Sequence, residues 1–191
     1  LGASTKVFLP RQFENPDNAE AHRLGTAAEI AHSLAQDVAA SRTIAFTSGI
    51  GTGGTMVGMC HGLRERGFQV KPFAVRPIAS GTHVISGECF GSAEQCSFSA
   101  RIPGVLDGMS RIYQPKDILD LCELEVSDDV AMDTARALIR QGFPVGPSSG
   151  LNVAAAIQAA TLLPEDVRVV TILCDRMERY FSTELFTAWT D

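Results

Sequence analysis

The chain has 191 residues, 45% hydrophobic and 20% charged, with a formal net charge of -6. This length suits a single α/β domain over residues 1–191, and the composition is that of a globular protein. The acidic balance, with no basic run, argues against nucleic acid as a main partner. No apolar stretch approaches membrane-span length, and the start, Leu1-Gly2-Ala3-Ser4-Thr5-Lys6, has no signal-peptide pattern. Cys60, Cys89, Cys96, Cys122 and Cys174 are odd in number and irregularly spaced, without a C-x-x-C pair. No metal site is expected from them, and free thiols in a reducing, cytoplasmic compartment are.

In chain order, Lys6-Val7-Phe8-Leu9 reads as a short strand ended by Pro10. Asn15-Pro16 signals a helix start, with Asn as N-cap and Pro at the first helical position. Gly25 interrupts that helix. Thr26 to Glu29 has the form of a capping box, so a second helix is expected from about Ala27 to about Ala40. Ile30, Leu34 and Val38 give it a buried face. Thr43 onward is a strand, followed by a glycine-rich turn and a helix whose apolar stripe is Met56, Met59, Cys60 and Leu63. Gly67 stops that helix, and Val70 to Val75 is the next strand. Strand–helix–strand at this length is a parallel crossover.

Residues 77–105 read as a long irregular loop carrying His83, Glu88 and Cys89, and a loop this long is usually functional or mobile. A strand lies within Leu119–Val126. Ser127 caps the next helix, with Asp128 and Asp129 in its first turn and Val130, Ala131, Ala135 and Leu138 facing inward, until Gly142 ends it. Gly146-Pro147-Ser148-Ser149-Gly150 is a second turn, opening onto an Ala-rich helix from Val153 to Thr161. Val167 to Leu173 reads as a buried strand, with Cys174 and Asp175 at its carboxyl end. The expected fold is α/β, a parallel sheet with helices on both faces, and ligands bind such sheets at the carboxyl ends of the strands.

The stretch Thr47 to Thr55 packs four glycines and three threonines into nine residues between a strand and a helix. Glycine lets an anion approach the main chain, the helix offers unpaired N–H groups and the positive end of its dipole, and Thr52 and Thr55 add hydroxyls. A phosphate or carboxylate suits such a site. The spacing is neither G-x-G-x-x-G nor a Walker A motif, and a ligand-free tight turn is the competing reading.

Several motifs in this order resemble the cysteine synthase and cystathionine β-synthase family, the fold-type-II pyridoxal-phosphate enzymes. They are Gln12-Phe13-Glu14-Asn15-Pro16-Asp17-Asn18 with His22, Gly25-Thr26 and Glu29-Ile30; Gly49 to Thr55; Val75 to Ser80 with His83 and Gly87; Gly146 to Gly150; and Asp175 with Arg179-Tyr180. The resemblance implies that Gly51, Thr52, Gly53, Gly54 and Thr55 cradle the cofactor phosphate and that Ser148 meets the pyridine nitrogen. Gln12 would reach the substrate carboxylate, and Gly87 would lie near substrate and cofactor.

Departures from the family pattern are as telling. The family's Schiff-base lysine segment and its Asn-rich substrate loop have no counterpart here, and Lys6, Lys71 and Lys116 stand in other contexts. Gly87-Glu88-Cys89 replaces a Gly-Ile-Gly, and Arg76 stands where a Glu is common. Three readings follow. One is a truncated relative doing proton-transfer chemistry (elimination, isomerisation or cyclisation) on a small anionic molecule without pyridoxal phosphate. It would use His83, Glu88, Cys89 and Asp175 as acids and bases, with Arg76 among its substrate contacts. The second is a fragment or one chain of a pyridoxal-phosphate-dependent cysteine synthase, and the third a non-catalytic binding module. No covalently held cofactor is expected of the chain itself. Apolar surface left uncovered by the truncation leads to an expected homodimer, which light scattering reads directly.

Overall fold

The computed structural model describes residues 7–36, 41–78, 83–86, 95–98, 101–107 and 110–187. Helix α1 (Asp17–Ala21) runs through a π-helical turn, His22–Thr26, into α2 (Ala27–Ala35). Next come β1 (Thr43–Gly49), α3 (Gly54–Glu65) and β2 (Gln69–Ile78), then three short strands, β3 (His83–Ser86), β4 (Gln95–Phe98) and β5 (Leu106–Asp107). A 3-10 turn, Pro115–Asp117, leads to β6 (Cys122–Ser127), α4 (Asp128–Arg140), α5 (Pro147–Thr161) and β7 (Arg168–Thr171). A second 3-10 turn, Met177–Tyr180, and the short α6 (Glu184–Thr187) follow.

The main sheet has the order β6-β2-β1-β7 and every pairing in it is parallel. Alternation along the strands assigns its two faces. Ile44 and Phe46 of β1 and Val70 and Ala74 of β2 pack with Met56, Met59, Cys60 and Leu63 of α3 and Ala27 and Ala31 of α2. Ala45 and Phe73 pack with Ala159 of α5, while Val75 and Val126 pack with α4 and the rest of α5 on that same face. Helices thus cover both faces, as the sequence implies. Pro72 lies in an inner strand, at a point where β1 alone pairs with it. Pairing with β6 begins only at Phe73↔Cys122, so β2 has a neighbour on one side alone at that point.

Several expectations need correction. Val7, Phe8 and Leu9 form no strand and are exposed, Val7 and Phe8 at 85% each. Thr26 is not a cap. Its backbone is helical, and the Ala27 N–H bonds back to the His22 carbonyl, so one continuous helix carries an extra residue in place of a break. The deepest residues of α2 are Ala27 and Ala31, with Ile30 and Leu34 only partly buried, and Val38 lies outside the described residues. Small side chains win that face because α2 and the π turn lie close against α3.

Within the expected loop 77–105, β3 and β4 pair antiparallel, His83 opposite Phe98, and β5 adds to β4. Val130 is largely exposed, and Met132 takes the buried place beside Ala131 and Ala135. The turn Gly146–Gly150 is itself the start of α5, with Gly146 as N-cap and Pro147 at the first position. Strand β7 is only half-buried, as suits an edge strand. Among the described residues no helix is long and apolar enough to cross a membrane, and no cluster of His, Cys, Asp or Glu is arranged to hold a metal ion.

Candidate functional site

Parallel pairing carries the ends of β1 and β7 to one edge of the sheet, where β1 turns into α3 and where α5 begins on the other face. A crevice of about 300 Å³ opens between them. Its walls include Gly49, Gly51, Thr52, Gly53 and Thr55 from the first turn, Ser148 and Asn152 from α5, Cys174 and Asp175 after β7, and Pro103–Val105 opposite. The N-termini of two long helices meet this space. The positive ends of their aligned dipoles make it a favourable place for an anion.

The glycine turn is held from outside. Gly53 is the N-cap of α3 at φ 76°, ψ -4°, in the left-handed region where L side chains are strained. A Cβ there would also come within 2.1 Å of Tyr113 Cβ, and one at Gly51 within 2.2 Å of the Gly104 carbonyl oxygen. The Asn18 amide donates to the Gln12 carbonyl at 2.8 Å and to Thr52 Oγ1 at 2.9 Å. The Gly54 N–H donates to the same Thr52 oxygen at 3.3 Å. Ser110 donates its hydroxyl to the Thr52 carbonyl and accepts from the N–H groups of Ile112 and Tyr113. The turn is therefore formed in advance of any ligand.

The second half of the site is tied together by α5. Asn152 is 1% exposed and lies one helical turn beyond Ser148 and Ser149. Its Oδ1 accepts from the Gly49 N–H at 2.7 Å, and its Nδ2 donates to the Ile172 carbonyl at 2.9 Å and to the Cys174 sulfur at 3.4 Å. One amide thus joins the ends of β1 and β7 to the helix between them. Ser149, fully buried, accepts from the Cys174 N–H at 2.9 Å. Desolvation pushes the Cys174 thiol pKa up, against hydrogen bonds from Ser148 and Asn152 that lower it. The thiol form is favoured there, not a nucleophilic thiolate. Tyr180 donates its hydroxyl to Asp175 Oδ2, and burial followed by the Asp175 charge raises the Tyr180 pKa. Asp175 Oδ1 is buried without a hydrogen-bond partner.

Of the residues singled out in the sequence, Gly51, Thr52, Gly53, Thr55, Ser148 and Asp175 come together in the crevice. Gly54 sits just behind them as the first residue of α3, packed on Asn18. Gln12 does not join them. It is exposed and lines a separate surface pocket with Leu9, Pro10, Phe13 and Arg111, although its carbonyl is tied to the turn through Asn18. Arg76 pairs with Glu123 at 2.7 Å across β2 and β6, because both are on neighbouring strands, and it does not line the crevice. His83 begins β3. Gly87, Glu88 and Cys89 lie outside the described residues, and among the described residues of the proposed acid–base group Asp175 lines the crevice. Sequence reasoning missed Asn152, Ser110 and Tyr113, and it placed Asn18 in a motif without giving it a role. Asn152 had a signal, being the one amide on the helix face just after the two serines in an otherwise Ala-rich run.

The pyridoxal-phosphate dependent enzyme family matches residues 1–175. The chain belongs to that family. Among curated members it is 37% identical over 179 residues to cysteine synthase B of Campylobacter jejuni, covering 94% of this chain and 54% of that one. It is 36% identical over 182 residues to a cysteine synthase of Staphylococcus aureus, again 94% and 54%. Among solved structures, the O-acetylserine dependent cystathionine β-synthase from Helicobacter pylori aligns with a TM-score of 0.73 at 32% identity, over 94% of this chain and 54% of that one. O-acetyl serine sulfhydrylase isoform 3 from Entamoeba histolytica aligns at 0.74 and 31%, over 94% and 50%. The chain therefore spans about half the length of the relatives it matches.

The family cofactor can be tested against this pyridoxal-phosphate family site. The preformed glycine turn on a helix N-terminus suits a phosphate, and the polar Ser148, Cys174 and Asp175 wall lies across the same crevice. The volume is at the lower end for small-molecule pockets. The residues present fit the phosphate and ring. No described lysine lines the crevice: Lys71 is exposed near the amino end of β2, opposite Ala45, and Lys116 is exposed in the turn Pro115–Asp117.

Proposed function

We propose that these 191 residues form the phosphate- and ring-holding half of a pyridoxal-phosphate-dependent cysteine-synthase-type enzyme, whose Schiff-base lysine is supplied by further chain. The observation that carries this reading is the crevice itself. It keeps the glycine cup and Ser148, and it lacks a lysine among its described walls, in a chain that covers about 54% of its curated relatives. Those relatives favour it over chemistry without the cofactor, since they are cysteine synthases across 94% of the present chain.

In this role Gly51 to Thr55 bind the phosphate through main-chain N–H groups and the Thr52 and Thr55 hydroxyls. Ser148 holds its hydroxyl at the pyridine nitrogen. When bound, pyridoxal phosphate supplies the electron sink for elimination and replacement at the β-carbon of an amino acid. Asn152 keeps the two walls in register, and Tyr180 fixes Asp175 beside the ring site. The walls from Pro103 to Val105 narrow the crevice and limit the entry of water.

Phosphate-dependent binding is the test. Titration calorimetry is expected to show pyridoxal phosphate binding to the chain while pyridoxal, lacking the phosphate, binds at least roughly tenfold more weakly. Replacement of all three lysines by Arg is expected to leave that affinity unchanged. Equal affinity for the two compounds, or no binding of either, overturns the proposal.

A further inference from the structure

The π-helical turn before α2 has a use the glycine cup alone does not explain. It carries His22, half-buried, whose Nδ1 lies 3.0 Å from Thr26 Oγ1 and whose Nε2 lies 3.1 Å from Thr55 Oγ1. Thr55 is the last residue of the cup and lines the crevice. We infer that His22 is a positioning residue for the cup, donating its Nε2–H to Thr55 Oγ1 so that the Thr55 hydroxyl hydrogen is left to point at an anion in the crevice. The inference rests on the phosphate role proposed for that cup.

Counting donors leaves two tautomers, and the phosphate role of the cup selects between them. A neutral imidazole has one N–H and one acceptor nitrogen. If Nδ1 accepts from the Thr26 hydroxyl, Nε2 carries the proton and donates to Thr55. Thr55 then has its own O–H free for the ligand. In the opposite tautomer Thr55 spends its hydrogen on His22 and presents only lone pairs to a phosphate, which is repulsive. Burial lowers the His22 pKa, which favours the neutral ring that this relay needs. Thr26 thus fixes His22, and His22 fixes Thr55.

Two structural features serve this contact. The inserted residue of the π turn rotates the helix between His22 and Ala27, and π turns of this kind recur at functional sites. On α3, Gly58 follows Thr55 by one turn, and a Cβ there would come within 2.6 Å of His22 Cβ and 2.2 Å of the Ala19 carbonyl oxygen. The bare backbone at Gly58 is what lets the π turn lie close enough for the ring to reach Thr55.

The experiment uses the intact chain with pyridoxal phosphate and pyridoxal as probes. In ¹⁵N-labelled wild type, long-range histidine correlations are expected to show His22 as the Nε2–H tautomer, with its Nε2 signal moving on addition of pyridoxal phosphate and not of pyridoxal. His22→Phe, which keeps the ring volume but no hydrogen bond, is expected to lose roughly tenfold in affinity for pyridoxal phosphate and to leave the weaker pyridoxal affinity unchanged. His22→Gln, which restores an N–H donor, is expected to recover part of the loss. An Nδ1–H tautomer, equal losses for both probes, or no loss in His22→Phe overturns the inference while the cup reading stands. Wild type that fails to distinguish the two probes removes the cup reading and this inference together. The tautomer measurement on wild type decides the matter even if the variants fold poorly.

Discussion

Replacing Asn152 by Ala is expected to lower the unfolding free energy by roughly 2–6 kcal/mol, since two backbone groups lose their partner at about 1–3 kcal/mol each. The Gly49 N–H and the Ile172 carbonyl both depend on this one buried amide. A methyl group satisfies neither, and the lost volume leaves a hole beside the crevice. Asn152→Leu fills the hole without restoring the bonds, so it is expected to remain destabilised. Asn152→Asp keeps an acceptor for Gly49 but turns a carboxylate oxygen toward the Ile172 carbonyl, and it is expected to be no better. Urea denaturation reads these effects as a lower midpoint with an unchanged slope. Because Asn152 aligns the ends of β1 and β7, affinity for pyridoxal phosphate falls with it. A midpoint within error of wild type would show that the amide is not the tie described here.

Gly53→Val is expected to be the most damaging change in the glycine turn, affecting fold and ligand together. On sequence grounds it looks like a clean block of an anion cup. The structure says otherwise. At φ 76° a branched side chain is strained by roughly 1–3 kcal/mol. Its Cβ would also meet the Tyr113 Cβ and Cα at 2.1 and 3.3 Å. Those atoms are anchored to the backbone, so the segment from Ser110 to Tyr113 must shift, at a further cost of roughly 1–3 kcal/mol. Thermal unfolding should therefore move well below wild type while binding is lost. Thr55→Val is the contrasting probe. It removes a hydroxyl on the cup at nearly constant volume and is expected to weaken phosphate-dependent binding with only a small loss of stability. Wild-type stability in Gly53→Val would contradict the close Tyr113 contact.

Much of the sheet was legible because periodicity and punctuation agree there. The run Thr43–Gly49, the stripe Met56, Met59, Cys60 and Leu63, and the stops at Gly67 and Gly142 each carry a local signal that packing reinforces. The glycine turn was legible as a glycine and threonine cluster between a strand and a helix, and Ser148 entered through the family resemblance of the turn that opens α5. What could not be read depends on contacts between distant segments. Thr26 carries a capping-box pattern, yet its hydroxyl meets His22 and the helix runs on, because packing of the π turn on Gly58 outweighs a local cap. Asn152 looks like a surface amide in an Ala-rich helix until the ends of two strands are brought to it. Gln12 looks like a crevice residue by motif, but in this chain its side chain opens on a different pocket. Arg76 is claimed by Glu123, a partner 47 residues away.

Borohydride reduction after incubation with pyridoxal phosphate, followed by peptide mapping, tests most directly whether this chain holds the cofactor without its own lysine. The expected result is a phosphate-dependent complex with no absorption band near ~410 nm and no stoichiometric pyridoxyl adduct on Lys6, Lys71 or Lys116. A stoichiometric adduct on one of these three, matched by loss of activity when that lysine alone is changed to Arg, would contradict the account and make the chain a self-sufficient pyridoxal-phosphate enzyme.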